Sequence, residues 1–164
     1  MLLAGGCFWG VESVFEHVRG VRSVVSGYAD AGIETVQVVY DPAQVGYREL
    51  LEVFFSIAHD PTQRDRQGPD AGPEYRAVVF YRSAEQRRVA EVYIAELEQA
   101  HRFARPILTE VRPAGSFKLA EPFHQDYAAR HPDEPYIVVN DAPKLELLRR
   151  MFPKLFRERG SVSE

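Results

Sequence analysis

Up to Val111, the apolar residues of this chain change spacing repeatedly, from the three-and-four interval of a helix to the two-residue alternation of a strand and back. Val11, Val14, Phe15 and Val18 predict a first helix from about Phe8 to Arg19, stopped by Gly20. Two strand-like runs, Val21 to Tyr28 and Ile33 to Tyr40, are joined by the short connection Asp30-Ala31-Gly32, and Asp41-Pro42 ends the second. A second helix turns Tyr47, Leu50, Leu51, Phe54 and Ala58 inward and stops before His59-Asp60-Pro61, because proline disfavours helix at the residue ahead of it. Tyr75 to Arg82 reads as a strand, and Ser83 with Gln86 opens a long helix carrying Ala90, Tyr93, Ile94, Leu97 and Ala100 inward. Leu108 to Val111 is the next strand. The order strand, helix, strand, strand, helix, strand, helix, strand predicts an α+β fold. We expect a two-layer sandwich, helices packed on a small mixed sheet in ferredoxin-like topology. A short helix near Phe123 to Arg130 and a final one bearing Leu145, Leu148, Phe152 and Leu155 add a C-terminal helical extension.

The 164 residues suit one domain over residues 1–164, large enough to bury a core without a staple. Acidic residues outnumber basic ones, 24 to 20, so neither nucleic acid nor an anionic membrane surface is an expected partner. No run approaches the roughly 20 apolar residues that span a bilayer. The single cysteine cannot form an internal disulfide, which fits a reducing compartment, the cytoplasm. The five histidines lack metal-ligand spacing, Asp60, Asp65 and Asp70 do not form a calcium loop, and the glycines near Cys7 do not form a phosphate cradle. Neither metal nor cofactor is expected.

That cysteine lies in Gly6-Cys7-Phe8-Trp9-Gly10, at the start of the first helix. Free N–H groups and the helix dipole there favour the thiolate, so Cys7 is expected to be nucleophilic near neutral pH. A free cysteine is also commonly a small buried hydrophobe, and Phe8 and Trp9 are either core residues or walls of a pocket beside the sulfur. Strand alternation puts Glu34 on one face with Val36, Val38 and Tyr40. Burial there would raise its pKa and leave a proton to donate; a strand-end glutamate leaning into water is the alternative. Residues 59–74, rich in proline, glycine and charge, read as a functional loop, with Asp70 in it and Tyr75 just beyond. Alone, these two are equally a surface carboxylate and a packed ring.

Taken together, Gly6-Cys7-Phe8-Trp9-Gly10-Val11-Glu12, Val38-Val39-Tyr40-Asp41-Pro42, His59-Asp60-Pro61-Thr62, Arg66-Gln67-Gly68, Asp70-Ala71-Gly72 and Tyr75-Arg76 resemble the type A peptide methionine sulfoxide reductases, in family order over residues 4–127. The resemblance implies thiol-dependent reduction of methionine-S-sulfoxide, free or in proteins, and hence repair of oxidised proteins. It implies Cys7 as the nucleophile and Glu34 as the proton donor, with Phe8 and Trp9 holding the substrate methyl group and Asp70 and Tyr75 helping to bind and polarise the substrate. After methionine leaves, Cys7 should be a sulfenic acid. Relatives with a second cysteine then form a disulfide; this chain resembles the one-cysteine branch, in which an external thiol, glutathione with glutaredoxin, another small thiol or thioredoxin, regenerates the enzyme. Only five residues separate Tyr28 from Glu34, where most relatives have a longer loop supplying a second polarising tyrosine. That tyrosine has no counterpart, and Tyr28 is the candidate to move into its place. Two other readings stand beside reduction. One is a redox sensor that binds methionine sulfoxide without efficient turnover, and the other is a Cys-His hydrolase, which needs a histidine beside Cys7.

Overall fold

The computed structural model describes residues 1–159; the last five positions of the expected 1–164 domain lie outside them. Eight strands and five α-helices follow in the order β1 (Leu2–Ala4), α1 (Phe8–Glu16), β2 (Val21–Ala29), β3 (Ile33–Tyr40), α2 (Tyr47–Val53), β4 (Arg66–Gln67), β5 (Asp70–Ala71), β6 (Val78–Tyr81), α3 (Ala84–Gln99), β7 (Glu110–Pro113), β8 (Phe117–Leu119), α4 (Tyr127–Arg130) and α5 (Ala142–Met151). Six strands form one sheet in the order β7-β6-β1-β3-β2-β8, antiparallel except for the β6–β7 pair. Its inner four, β6-β1-β3-β2, with α1 and α2 as crossovers, form the ferredoxin-like arrangement expected from the sequence; β7 and β8 widen it. β1 is buried on both faces, as a central strand must be. Leu3 joins the large core with Val11, Val14 and Phe15 of α1, while Leu2 and Ala4 join a smaller cluster on the opposite face with Val78 and Phe80.

Several boundaries move, each for a local reason. α1 ends at Glu16 because the N–H groups of His17 and Val18 reach back only three residues, to Val14 and Phe15, tightening the last turn. The second helix continues beyond Val53 as a wider π-turn, Phe54–Ala58, and a second π-turn, Ile137–Asp141, leads into α5. Tyr75 closes a 3₁₀ turn, Pro73–Tyr75, so the following strand starts only at Val78. The strand expected at Leu108 starts at Glu110, and Ala100 is exposed at the end of α3. Within the 59–74 loop, β4 and β5 form a small hairpin. Phe152 and Leu155 lie past the end of α5, and their segment fastens onto α1. Leu155 O accepts the Arg19 N–H at 2.7 Å, His17 O accepts the Arg157 N–H at 2.9 Å, and the Arg157 guanidinium donates to Val21 O at 2.6 Å.

Candidate active site

β1 delivers Cys7 from the middle of the sheet to the N-cap of α1. The chain makes that turn through Gly6 at φ +86°, where a Cβ would also meet Gln67 Cβ at 2.5 Å, so only glycine fits. β3 runs beside β1 and aims Glu34 at the first turn of α1, where Glu34 Oε1 accepts the Phe8 N–H at 3.1 Å. Cys7, Phe8, Trp9, Glu34, Asp70 and Tyr75 all line one cavity of about 330 Å³, and His124 and Tyr136 complete it. The sulfur and the carboxyl therefore open into the same space.

His124 and Tyr136 were not among the expected site residues, because nothing in residue spacing ties positions more than a hundred residues downstream to Cys7. Their placement rests on a clamp. The Gln125 side chain accepts the Ser26 N–H at 2.9 Å and donates to Ser26 O at 2.8 Å, and buried Glu12 accepts the Ser26 hydroxyl and, at 2.6 Å, the Asp126 N–H. This holds the flanking residues over Trp9. The indole stacks on Tyr127 with centroids 3.7 Å apart, meets Tyr136 edge-on at 5.8 Å and donates from Nε1 to His124 Nδ1 at 3.1 Å. Phe8 packs against His124 and Tyr28 at 5.1 and 5.5 Å. Tyr28 does not replace the missing tyrosine: its hydroxyl lies 3.5 Å from Glu121 Oε2, away from the cavity. Tyr136 lines the cavity instead, its hydroxyl bonded to Asp70 Oδ2 and also facing the Cys7 sulfur.

The electrostatics correct one expectation. Burial pushes the Cys7 thiol up to about 12, with the charge of Glu34 adding to the rise; the Trp9 N–H and the Tyr136 hydroxyl favour the thiolate but do not prevail. The helix start alone therefore does not ionise this thiol. Glu34 moves in the direction that its apolar face predicts. Burial lifts it to about 7 against the opposing Phe8 N–H, and Asp70 and Glu74 contribute. Tyr75 rises to about 12, chiefly by burial and then through Glu34, Asp70 and Cys7. A small cavity that disfavours negative charge keeps Cys7 a thiol and lets Glu34 hold its proton up to about neutral pH.

Gly10 completes the local motif. A Cβ there would lie 2.4 Å from Asp141 Oδ1, so glycine lets the buried Asp141 carboxyl approach α1. Burial raises Asp141 to about 6 even with Lys144 nearby to oppose it. Neither nearby histidine is available to Cys7. His59 has one ring nitrogen on Phe54 O at 2.8 Å and the other on Thr109 Oγ1 at 2.9 Å, and His124 Nδ1 accepts from Trp9. A Cys-His hydrolase finds no base here.

A sheet that sets a lone, partly buried thiol in one cavity with a carboxyl of raised pKa and aromatic walls has the make-up of a thiol-based oxidoreductase. The family model described as "Peptide methionine sulfoxide reductase" matches residues 1–34 and 30–155, and its two segments meet at the shortened β2–β3 turn. The chain is 43% identical over 174 residues to "Peptide methionine sulfoxide reductase MsrA 2" of Mesorhizobium japonicum, covering 96% of this chain and 89% of that one. It is 46% identical to the MsrA of Thermus thermophilus over 171 residues, covering 94% and 96%. Among solved structures, reduced Mxr1 from Saccharomyces cerevisiae superposes with a TM-score of 0.71 at 30% identity, covering 80% of this chain and 84% of that one. The same yeast protein in complex with Trx2 superposes at 0.54 and 27% identity, covering 77% and 82%. The chain belongs to the peptide methionine sulfoxide reductase family.

Proposed function

We propose that this protein reduces methionine-S-sulfoxide, free or within oxidised proteins, using Cys7 as nucleophile and Glu34 as acid. The observation that carries the reading is the single cavity that Cys7 and Glu34 line together with Phe8 and Trp9. The sulfoxide methyl group rests against the two rings, and its oxygen points to Glu34, Tyr75 and Tyr136. Glu34 delivers its proton to that oxygen, making the sulfur electrophilic. The carboxylate this leaves takes up the Cys7 proton as the sulfur attacks, so that thiolate and carboxylate, which repel in this space, do not stand side by side. The Cys7 sulfur bonds to the substrate sulfur, the hydroxyl passes to Cys7, and methionine leaves. One thiol and one sulfoxide thus become one sulfenic acid and one thioether. Tyr136 has a single proton to share between Asp70 and an oxygen or sulfur in the cavity, and in this role it supplies the second phenol that the short β2–β3 turn lacks.

An external thiol then regenerates Cys7. The yeast relative solved with Trx2 supports a thioredoxin-type donor, and glutathione with glutaredoxin is the other donor that fits a one-cysteine enzyme. This chemistry needs a compartment supplied with thiols, as the cytoplasm is, and no described helix is long and apolar enough to cross a membrane. A sensor that only captures sulfoxide is not favoured, since a sensor has no use for an acid poised beside the nucleophile. The test is to incubate the protein with separated S and R sulfoxides of a blocked methionine and dithiothreitol. We expect turnover of the S epimer alone and none after Cys7→Ser, with the fold retained. Full activity in the serine variant would end the reading.

A further inference from the structure

Cys7, Asp70 and Tyr136 belong to the wall of a second cavity, of about 340 Å³, as well as to the one described above. This second space is polar. Gln63, Gln67 and Asn140 contribute amides, Asp60 a carboxylate and Lys144 an ammonium group. Lys144 Nζ stands 3.9 Å from Asp141 Oδ1, beyond hydrogen-bond reach, and its side chain is 29% exposed. Gln67 is fixed by a reciprocal pair of bonds with the Asp60 backbone, both at 2.8 Å, so this wall is preformed. The volume suits a small ligand.

Resting on the reductase reading, we infer that this polar cavity is the docking site for a low-molecular-mass amino-acid thiol whose carboxylate meets Lys144, and that this thiol attacks the Cys7 sulfenic acid. The reason lies in the geometry of displacement at sulfur, where the incoming thiolate must approach in line with the departing group. The oxygen taken from the sulfoxide stays in the cavity that holds Glu34, so the thiol must reach the sulfur from outside that space, and the polar cavity, which Cys7 also lines and Glu34 does not, is the other way in. The step balances. The new S–S bond forms as the Cys7 S–O bond breaks, and the hydroxyl leaves as water with a proton from Glu34 or the thiol. A second thiol then releases the disulfide and restores the Cys7 thiol. Lys144 and Asp60 offer opposite charges to a zwitterion, which is why the class is an amino-acid thiol.

The test forms the sulfenic acid with one equivalent of methionine-S-sulfoxide, then mixes it with L-cysteine, cysteamine or dithiothreitol. Rates are compared per thiolate, read from the fluorescence of Trp9, the only tryptophan, and from the mass of the Cys7 adduct. Lys144→Met is expected to slow L-cysteine about fivefold and leave cysteamine and dithiothreitol unchanged. Gln63→Phe, which narrows the cavity without adding a second indole, is expected to slow all three thiols about tenfold or more, with the first methionine released at the parent rate. Equal effects of Lys144→Met on all thiols, or no effect of either variant, would overturn the site while leaving the reductase intact. Failure of the parent to release methionine would overturn the reductase reading itself, and this inference with it.

Discussion

Glu34→Gln is expected to stabilise the protein above neutral pH while disabling it. Burial raises Glu34 from its ordinary 4.5 to about 7. At ~1.4 kcal/mol per pH unit, ionising this side chain in the folded protein costs up to about 3 kcal/mol more than in the unfolded chain. Below the unfolded value both states hold the proton, and parent and variant agree. As pH rises from there, the folded parent binds more protons than the unfolded chain, so its stability falls until the full penalty stands above about 7. Between about pH 5.5 and about pH 8 the parent should lose about 2 kcal/mol relative to the variant, or roughly 4–8 °C in Tm. The other raised acids, Glu12, Glu16 and Asp141, are common to both proteins and cancel in the difference. The amide keeps an oxygen for the Phe8 N–H, so packing is held constant. Urea melts followed by Trp9 fluorescence at the two pH values measure the gap. Parallel stability profiles would show that Glu34 is not desolvated, and its role as an acid at neutral pH would fall with that.

In single-turnover methionine release, the parent rate should fall as pH rises through about 7, with Glu34→Gln slower by about 10²-fold or more on the acid side; a rate that climbs through that pH would instead indicate attack by a free thiolate. Tyr136→Phe keeps the edge contact with Trp9 and removes one donor, and should lower kcat about 10²-fold with little change in KM; an unaltered kcat would remove Tyr136 from the mechanism. Gly10→Ala drives a Cβ to 2.4 Å from Asp141 Oδ1 and should destabilise the fold by about 1–3 kcal/mol in thermal or urea melts.

The parts legible in the sequence were those governed by local rules. Alternation located β2 and β3 nearly to the residue, and the same alternation placed Glu34 on its apolar face. β8 escaped because a three-residue strand near Pro113 and Gly115 has no period to read; it exists because β2 offers it an edge. His124 and Tyr136 escaped because proximity across the fold leaves no mark in spacing. The acidity of Cys7 was misjudged for a physical reason: a helix start favours thiolate, but burial and the Glu34 charge are felt only once the chain has closed around them. The wide turn that bears Asn140 and Asp141 was equally invisible, since a π-turn and an α-turn draw on the same residues.

The segment from Phe152 to Arg157 clasps the end of α1 opposite Cys7, while Tyr136 rides on the turn just before α5. Two distant stretches of chain thus hold the chemistry between them as a hand holds a tool. Loosening that grip would withdraw a phenol from the sulfur while the sheet stood intact, so gentle warming should silence the enzyme before it melts.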